Sequence, residues 1–258
     1  MKFTMYSIAA IAICALVANP AAGSLVTNGD FESWTDGNPD GWDLYDGGGA
    51  DQVPGFDGGS AAALTKTQAT SLIRQEFSEN LTDQFQVSYD FAVDMSGISA
   101  DAPATQVTLR DDDGNPYINL RVSEDGSLSL REGAQGGEFN QLPDSADLVS
   151  TSDFTDDTIN AYKIVIEGNF GAEYDVSLID LSDDTELAAW TDLTYYQKDP
   201  STEGNGYLAA VYFDPGRGEA DSGNWHVDNV AVAVPEPATM GLLAAGGVAL
   251  LLRRRRKA

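Results

Sequence analysis

The sequence predicts an all-β chain, an antiparallel jelly-roll β-sandwich flanked by two apolar terminal segments. Short runs in which hydrophobic and polar residues alternate carry this prediction, because alternation is the pattern of a strand with one buried face. Gly, Pro, Asn and Asp separate these runs, and nothing between residues 24 and 234 has a helical period. About ten such runs in one stretch are typical of a sandwich.

The composition limits the chemistry. The 258 residues include 41 Asp and Glu, 14 Lys and Arg, one His and one Cys, for a net charge of −27. The acidic composition predicts that the protein does not bind nucleic acid, because phosphate contacts need clustered basic residues. One His and one Cys also exclude a zinc finger, an iron–sulfur centre and a Cys/His catalytic pair.

The N-terminus, residues 1–23, has the layout of a secretory signal peptide. Lys2 precedes an apolar run at 8–17, and small residues follow at 21–23. Cys14 lies inside the apolar run and follows a bulky Ile, which does not suit a lipoprotein signal. The mature chain is therefore expected to contain no cysteine and no disulfide.

The C-terminus, residues 235–258, has three parts in order. Pro235-Glu236-Pro237 is followed by fifteen uncharged residues, 238–252, and by a basic end, 253–257. A helix of that length rises about 22 Å, less than the roughly 30 Å hydrocarbon core. It can still form a single transmembrane helix if the bilayer thins and the arginines snorkel, with the basic end on the cytoplasmic side.

These three parts resemble the PEP-CTERM sorting signal of Gram-negative bacteria. The resemblance implies an exosortase-type processing enzyme as partner and contact with the membrane through the C-terminal helix. It also implies export, with inner-membrane anchoring before processing and a final place at the cell surface or in an exopolysaccharide matrix. The alternative is a plain C-terminal membrane anchor.

The region between the termini, residues 24–234, is predicted to be one β-sandwich domain. It holds 40 acidic and 8 basic residues, a net charge of −32, which is expected to keep a secreted protein soluble. Alternation is clearest at 85–93 and at 118–122, and Glu124-Asp125-Gly126 predicts a hairpin turn. Further strands are predicted at 72–77, 105–110, 128–130, 162–167, 174–180, 186–191, 206–213 and 225–234.

The two ends of this domain carry a second resemblance. Residues 28–32, 39–42, 58–64 and 225–230 are similar to the opening, third and closing segments of galactose-binding-like jelly rolls, which include many carbohydrate-binding modules. The resemblance implies that the first and last strands lie side by side. It further implies one structural calcium, with Glu32, Asp228 and Asp30 as candidate ligands. The central part suits a lectin-like jelly roll equally well.

Calcium chemistry is consistent with those residue types, because calcium takes six to eight oxygen ligands. In the last strand the hydrophobic residues occupy odd-numbered positions before Asp228 and even-numbered positions after it. This change of face predicts a β-bulge near Asp228. Asp111-Asp112-Asp113-Gly114-Asn115, by contrast, lacks the Gly and Glu spacing of an EF-hand and is expected to form a solvated hairpin turn.

Aromatic residues are the candidate ligand contacts, because sugar faces stack on aromatic rings. Trp42 and Trp225 are expected in the core, and His226 is expected to be structural. The aromatic candidates near predicted loops are Trp34, Tyr45, Trp190, Tyr195 and Tyr196.

No catalytic residue is predicted. The sequence has neither a nucleophile elbow nor a phosphate-binding loop, and no local motif marks a carboxylate pair for glycoside hydrolysis. The expected function is that of an exported, non-enzymatic matrix protein that binds carbohydrate. The alternatives are a carbohydrate-active enzyme on the same sandwich and a purely structural matrix protein.

Overall fold

The computed structural model describes residues 24–45, 50–65, 72–95, 103–131, 138–155, 159–196, 206–215 and 224–234. Within these residues the chain forms sixteen strands and no helix. In chain order, the strands are β1 (Trp34–Thr35), β2 (Asn38–Pro39), β3 (Asp43–Tyr45), β4 (Ala50–Pro54), β5 (Ser60–Thr65), β6 (Leu72–Leu81), β7 (Gln84–Asp94), β8 (Pro103–Arg110), β9 (Pro116–Ser123), β10 (Leu128–Arg131), β11 (Phe139–Gln141), β12 (Tyr162–Asn169), β13 (Tyr174–Asp180), β14 (Thr185–Leu193), β15 (Leu208–Asp214) and β16 (Asn224–Ala233).

Two seven-stranded sheets make up the sandwich, and every strand pair is antiparallel. Sheet 1 has the order β14-β13-β12-β7-β16-β5-β4, and sheet 2 has the order β11-β10-β9-β8-β15-β6-β3. The short strands β1 and β2 form a separate hairpin. The predicted all-β, jelly-roll sandwich is confirmed.

The core lies between the sheets because the alternate hydrophobic residues of each long strand face inward. In β7, Val87 is fully buried between half-buried polar neighbours. Tyr89 of this strand packs edge-on against Phe213 of β15, with ring centroids 5.2 Å apart, which joins the two sheets. Trp42 and Trp225 pack against the same Phe213 ring, and their predicted place in the core is confirmed.

The predicted strands all occur, and most are longer than predicted. The strand predicted at 72–77 extends to Leu81, and the one predicted at 206–213 begins at Leu208. Five strands near the N-terminus, β1 to β5, were not predicted as strands. Four of them are five residues or shorter, too short for alternation to distinguish them from loops.

Both predicted hairpin turns are present. Ser123 and Ser127 close the first through a 2.9 Å backbone hydrogen bond, and Gly126 adopts a φ of 72° there. The turn at 111–115 joins β8 to β9. Its Asp111 accepts a hydrogen bond from the Asn115 backbone at 2.7 Å and is buried, so this turn is only partly solvated.

The opening segment runs beside the closing strand, as the galactose-binding-like resemblance implies. The Leu25 amide donates to the Val232 carbonyl at 2.7 Å, and the Val230 amide donates to the Gly29 carbonyl at 2.8 Å. A Cβ atom on Gly29 would lie 1.9 Å from the Val230 carbonyl oxygen, so this approach requires glycine. The predicted bulge is also present, as a register shift between Asp228 and Ala231.

The predicted terminal segments lie outside the described residues. These are the signal peptide at 1–23, the Pro-Glu-Pro motif at 235–237, the transmembrane helix at 238–252 and the basic end at 253–257. Among the residues that the structure does describe, none forms a helix long and apolar enough to cross a membrane.

Candidate ligand-binding face and acidic turn

The outer face of sheet 2 collects arginine side chains. Arginines lie on β6, β8, β9 and β10, and each is next in sequence to a residue buried in the core. Because neighbouring residues of a strand point to opposite faces, all four side chains project away from the core. We name this surface the arginine face; its members are Arg74, Arg110, Arg121, Arg131, Tyr212, Phe139, Thr108 and Asn119.

Two of these arginines surround the ring of Tyr212. The Arg110 guanidinium carbon lies 4.3 Å from the ring centroid, and that of Arg74 lies 5.9 Å from it. Arg74 also donates a 3.2 Å hydrogen bond to the Tyr212 hydroxyl and forms a 3.2 Å ion pair with Asp43. The hydrogen bond to Tyr212 is the main reason that the pKa of Arg74 lies above its ordinary value. These contacts fix both guanidinium groups above the strands.

The other two arginines surround the ring of Phe139. The guanidinium carbon of Arg121 lies 4.1 Å from that ring centroid, and that of Arg131 lies 5.7 Å from it. Arg131 lies opposite Phe139 in the β10–β11 ladder and also over the ring of Tyr196, at 4.9 Å. Burial lowers the pKa of Arg121, although an arginine stays protonated at neutral pH.

A row of polar residues crosses the sheet between the two aromatic rings. Asn119 lies opposite Thr108, and Thr108 lies opposite Tyr212. Asn119 is 4% exposed and Thr108 is 1% exposed. The Asn119 side-chain oxygen and the Arg121 Nε atom are buried without a hydrogen-bond partner among the described residues. A buried polar atom without a partner lowers the stability of the fold.

The aromatic residues predicted as ligand contacts are placed differently from one another. Trp190 is 8% exposed and donates a 2.8 Å hydrogen bond to the Pro143 carbonyl, and Tyr196 is 2% exposed. Both rings are therefore packed inside and offer little surface to a ligand. Tyr45 ends β3, at the edge of sheet 2.

The remaining two candidates are partly buried. Trp34 lies against the core and donates to the Phe31 carbonyl. Tyr195 packs between Phe170 and Tyr174 and donates a 3.2 Å hydrogen bond from its hydroxyl to the Asn169 carbonyl. Trp34, Trp190, Tyr195 and Tyr196 thus do not form one exposed surface.

The predicted calcium ligands Glu32 and Asp228 meet at one turn, residues 55–60, which we name the acidic turn. Glu32 Oε1 accepts a 2.6 Å hydrogen bond from the Ser60 amide, and Asp228 Oδ2 accepts one of 3.3 Å from the Phe56 amide. Gly55 and Gly59 make this possible, since a Cβ atom there would lie 2.7 Å from Asp228 Oδ2 and 2.0 Å from Glu32 Oε1 respectively.

Asp228 belongs to a buried polar cluster on the outer face of sheet 1. It lies opposite Asp90, which forms a 3.2 Å ion pair with Lys163 and accepts a 2.9 Å hydrogen bond from Asn229. Burial, with smaller contributions from Asp57 and Asp90, raises the pKa of Asp228 to about 7. Burial also raises the pKa of Asp90, against the opposing effect of Lys163.

The geometry supplies part of a cation site. Two carboxylates reach the acidic turn, and Asp57 lies on the turn itself. No group of three or more His, Cys, Asp or Glu side chains stands close enough to hold a metal ion in the described part of the chain. Asp30, the third predicted ligand, is exposed and neighbours Phe31, whose ring points into the core.

His226 occupies a structural position, close to the same cluster. Its ring stacks on Phe154, with centroids 3.7 Å apart and an interplanar angle of 16°. Burial lowers the pKa of His226 to about 4, so the imidazole is neutral at neutral pH.

The sequence reasoning missed the arginine face. Arg74, Arg110 and Arg121 each follow or precede a core residue in a run predicted as a strand, so the alternation already assigned them to an outer face, and Arg131 directly follows such a run. What the sequence does not contain is the strand order of sheet 2, which places β15 between β8 and β6.

One family comparison identifies the C-terminal segment. Residues 233–256 match the PEP-CTERM protein-sorting motif. This finding confirms the resemblance of the C-terminus and marks the chain as an exported protein that is sorted through the membrane and processed by exosortase-type machinery. No curated protein matches the chain.

Solved structures with a similar fold share little sequence with this chain. A sialidase is 12% identical over 76% of this chain and 17% of its own, with a TM-score of 0.49. Arcelin-5, a lectin-like defense protein from Phaseolus vulgaris, is 11% identical over 78% of this chain and 94% of its own, with a TM-score of 0.45. Lectin II from Ulex europaeus is 12% identical over 79% of this chain and 97% of its own, with a TM-score of 0.41.

Proposed function

We propose that this exported protein binds a polysaccharide of the extracellular matrix, without catalysing a reaction, through the arginine face. The observation that supports the proposal is the set of four partly exposed arginine side chains held beside two aromatic rings on this face. A sugar presents many hydroxyl groups, and a surface that offers donors in fixed positions is suited to them.

The contacts of the arginine face hold its donors in place before a ligand arrives. Arg110 and Arg121 each lie against a ring, at 4.3 Å and 4.1 Å from its centroid. Fixed side chains lose less conformational entropy on binding, which favours affinity.

The sorting signal supports the same function. A protein exported and processed through PEP-CTERM machinery would be released at the cell surface, where it could meet exopolysaccharide. We place the mature protein at the cell surface or in that matrix.

One structural calcium at the acidic turn is part of the proposal. Glu32 and Asp228 would hold it, because both carboxylates already reach this turn. The carboxylates of Asp228, Asp90 and Asp57 lie near one another, and their repulsion contributes, after burial, to the raised pKa of Asp228. A bound cation would offset that charge and would tie the opening segment to the closing strand.

A glycan array tests the function directly. The full-length chain in detergent should bind polysaccharides on the array, and the bound glycans should be recovered with unchanged length. Shortened glycans would instead show a carbohydrate-active enzyme. Absence of binding to every glycan would contradict the proposal and leave a structural matrix protein.

A further inference from the structure

The sorting motif begins inside the folded sandwich. The family match starts at residue 233, and Ala233 is also the last residue of β16, where it pairs with Gln86 of β7. Only Val234 separates this strand from Pro235, the first residue of the Pro-Glu-Pro sequence. The processing enzyme therefore has to recognise a sequence that follows the sheet without a linker.

The length of chain between the sheet and the motif limits the room for an enzyme. From Ala233 to Glu236 the chain advances three residues, which span about 10 Å when fully extended. A domain of the size of residues 24–234 has a radius of gyration of about 17 Å. An enzyme that encloses the motif from both sides would therefore collide with the domain as long as β16 keeps its place in the sheet.

The opening segment, residues 24–29, holds the end of β16 in that place. The pairing of β5 with β16 ends at Val227, and the opening segment takes over that side of the strand beyond the bulge. The Leu25 amide donates a 2.7 Å hydrogen bond to the Val232 carbonyl, and the Leu25 carbonyl accepts one of 2.9 Å from the Ser78 amide of β6. The opening segment thus ties the last residues of β16 to sheet 2.

We propose that the processing enzyme acts on this chain only after the end of β16 separates from the sheet, so that the fold limits the rate of processing. Extended peptides are commonly recognised through their main-chain N–H and C=O groups. At Val232 and Ala233 the main chain is already paired, with the opening segment on one side and with β7 on the other. Separation of the strand end frees these groups for the enzyme.

The end of the strand can separate while the rest of the domain stays folded. Val230 and Val232 are buried, so the closed form predominates. The bulge between Asp228 and Ala231 interrupts the pairing of β16 with β7, and the part beyond it is short. Strand ends of this kind open locally at a smaller free energy than that of global unfolding. The bulge therefore sets the limit of the part that separates.

The first test changes only the distance between the strand and the motif. Four or eight Gly and Ser residues are inserted between Val234 and Pro235 of the full-length chain, and pulse-chase labelling of the producing cells measures how fast the uncut form is processed. We expect processing to become at least about tenfold faster, because the motif is then accessible without exposing a buried valine or breaking a backbone hydrogen bond. The same insertion between Asp183 and Asp184, in the exposed turn from β13 to β14, should leave the rate unchanged.

The second test loosens the restraint itself. Leu25→Pro removes the amide that donates to Val232 and should speed processing about fivefold, as expected for the loss of one hydrogen bond that holds the closed form. This holds when opening and closing are faster than the cut, because the rate then follows the open population. In the chain with the eight-residue insertion, Leu25→Pro should have no further effect, since the motif no longer needs the strand to open.

A core substitution separates local opening from a general loss of stability. Val176 is fully buried in β13, and β12 and β7 lie between that strand and β16. Val176→Ala should lower the melting temperature and leave the processing rate unchanged.

Each remaining outcome would overturn the proposal. Equal rates for the parent and both insertion variants would show that the enzyme reaches the motif beside the closed sheet. Slower processing after insertion would show that the enzyme uses the end of the sandwich as part of what it recognises. Processing of neither the parent nor the insertion variants would show that release of the motif is not the limiting step.

Discussion

At the residue scale, buried polar atoms without a partner occur in different surroundings. His226 and Asn119 are both buried, and each has a side-chain atom without a hydrogen-bond partner among the described residues. The His226 ring is stacked on Phe154 and faces an apolar neighbour. Asn119 lies instead in a row of polar residues, opposite Thr108 and between the two arginine-bearing rings.

This difference gives a prediction for His226. His226→Phe should leave binding unchanged and should stabilise the fold by about 1 kcal/mol, since it removes a buried unpaired polar atom and keeps the ring stack. Urea unfolding of the parent and of the variant measures the difference. A loss of stability of about 2 kcal/mol or more would show that the imidazole makes a hydrogen bond that matters to the fold.

At the element scale, the bulge in β16 brings the closing strand to the acidic turn. Asn229 adopts a left-handed φ of 49° at the bulge, a conformation that Asn tolerates better than most residues. As a result, Asp228 reaches the Phe56 amide of the turn between β4 and β5. Any ion held there would connect β16 to that hairpin.

Chelation tests the calcium proposal at this turn. An ion bound only to the folded state stabilises it by about 2.7 kcal/mol at a hundred times its dissociation constant, which corresponds to roughly 5–10 °C in melting temperature for a domain of this size. EDTA should lower the melting temperature of the parent by that amount and should have no effect on Asp228→Asn. Asp51→Asn is the matched control on the exposed edge strand β4 and should remain sensitive to EDTA. If EDTA leaves the parent unchanged, the acidic turn is held by its peptide N–H groups alone.

At the scale of the whole molecule, the sequence predicted the architecture and left the site undetermined. Long alternating runs such as 85–93 predict strands because their inner residues have to be buried, and the structure confirms them. Two-residue strands such as β1 and β2 are too short to show an alternation of hydrophobic and polar residues. The bulge at Asp228 was predictable, because a change of hydrophobic parity requires one.

The candidate site depends on long-range order that a single sequence does not contain. Arg74 and Arg110 are separated by 36 positions, yet both contact Tyr212, because β15 pairs with β6 on one side and with β8 on the other. Aromatic residues near loops were the natural choice for sugar contacts. Trp190 and Tyr196 are nevertheless buried, because large rings stabilise the fold most when they are enclosed.

Export gives a prediction for the C-terminal motif. Replacing Pro235-Glu236-Pro237 by three alanines should leave an uncut, membrane-retained protein, because the motif is what the sorting machinery recognises. Mass analysis of the protein from membranes and from the medium measures the cut. If the mutant and the parent are processed equally, the motif has no role in sorting and the segment is a plain anchor.

Retention of matrix polysaccharide by the arginine face is the most direct test of the account. Polysaccharide purified from the matrix of the producing cells is passed over the immobilised full-length chain and over an Arg121→Gln, Arg131→Gln double variant with the parent's melting temperature. We predict that the parent retains the polysaccharide and that the double variant releases at least nine-tenths of it, because each lost guanidinium contact weakens binding by about tenfold. Equal retention by both proteins, or retention by neither, would contradict the account.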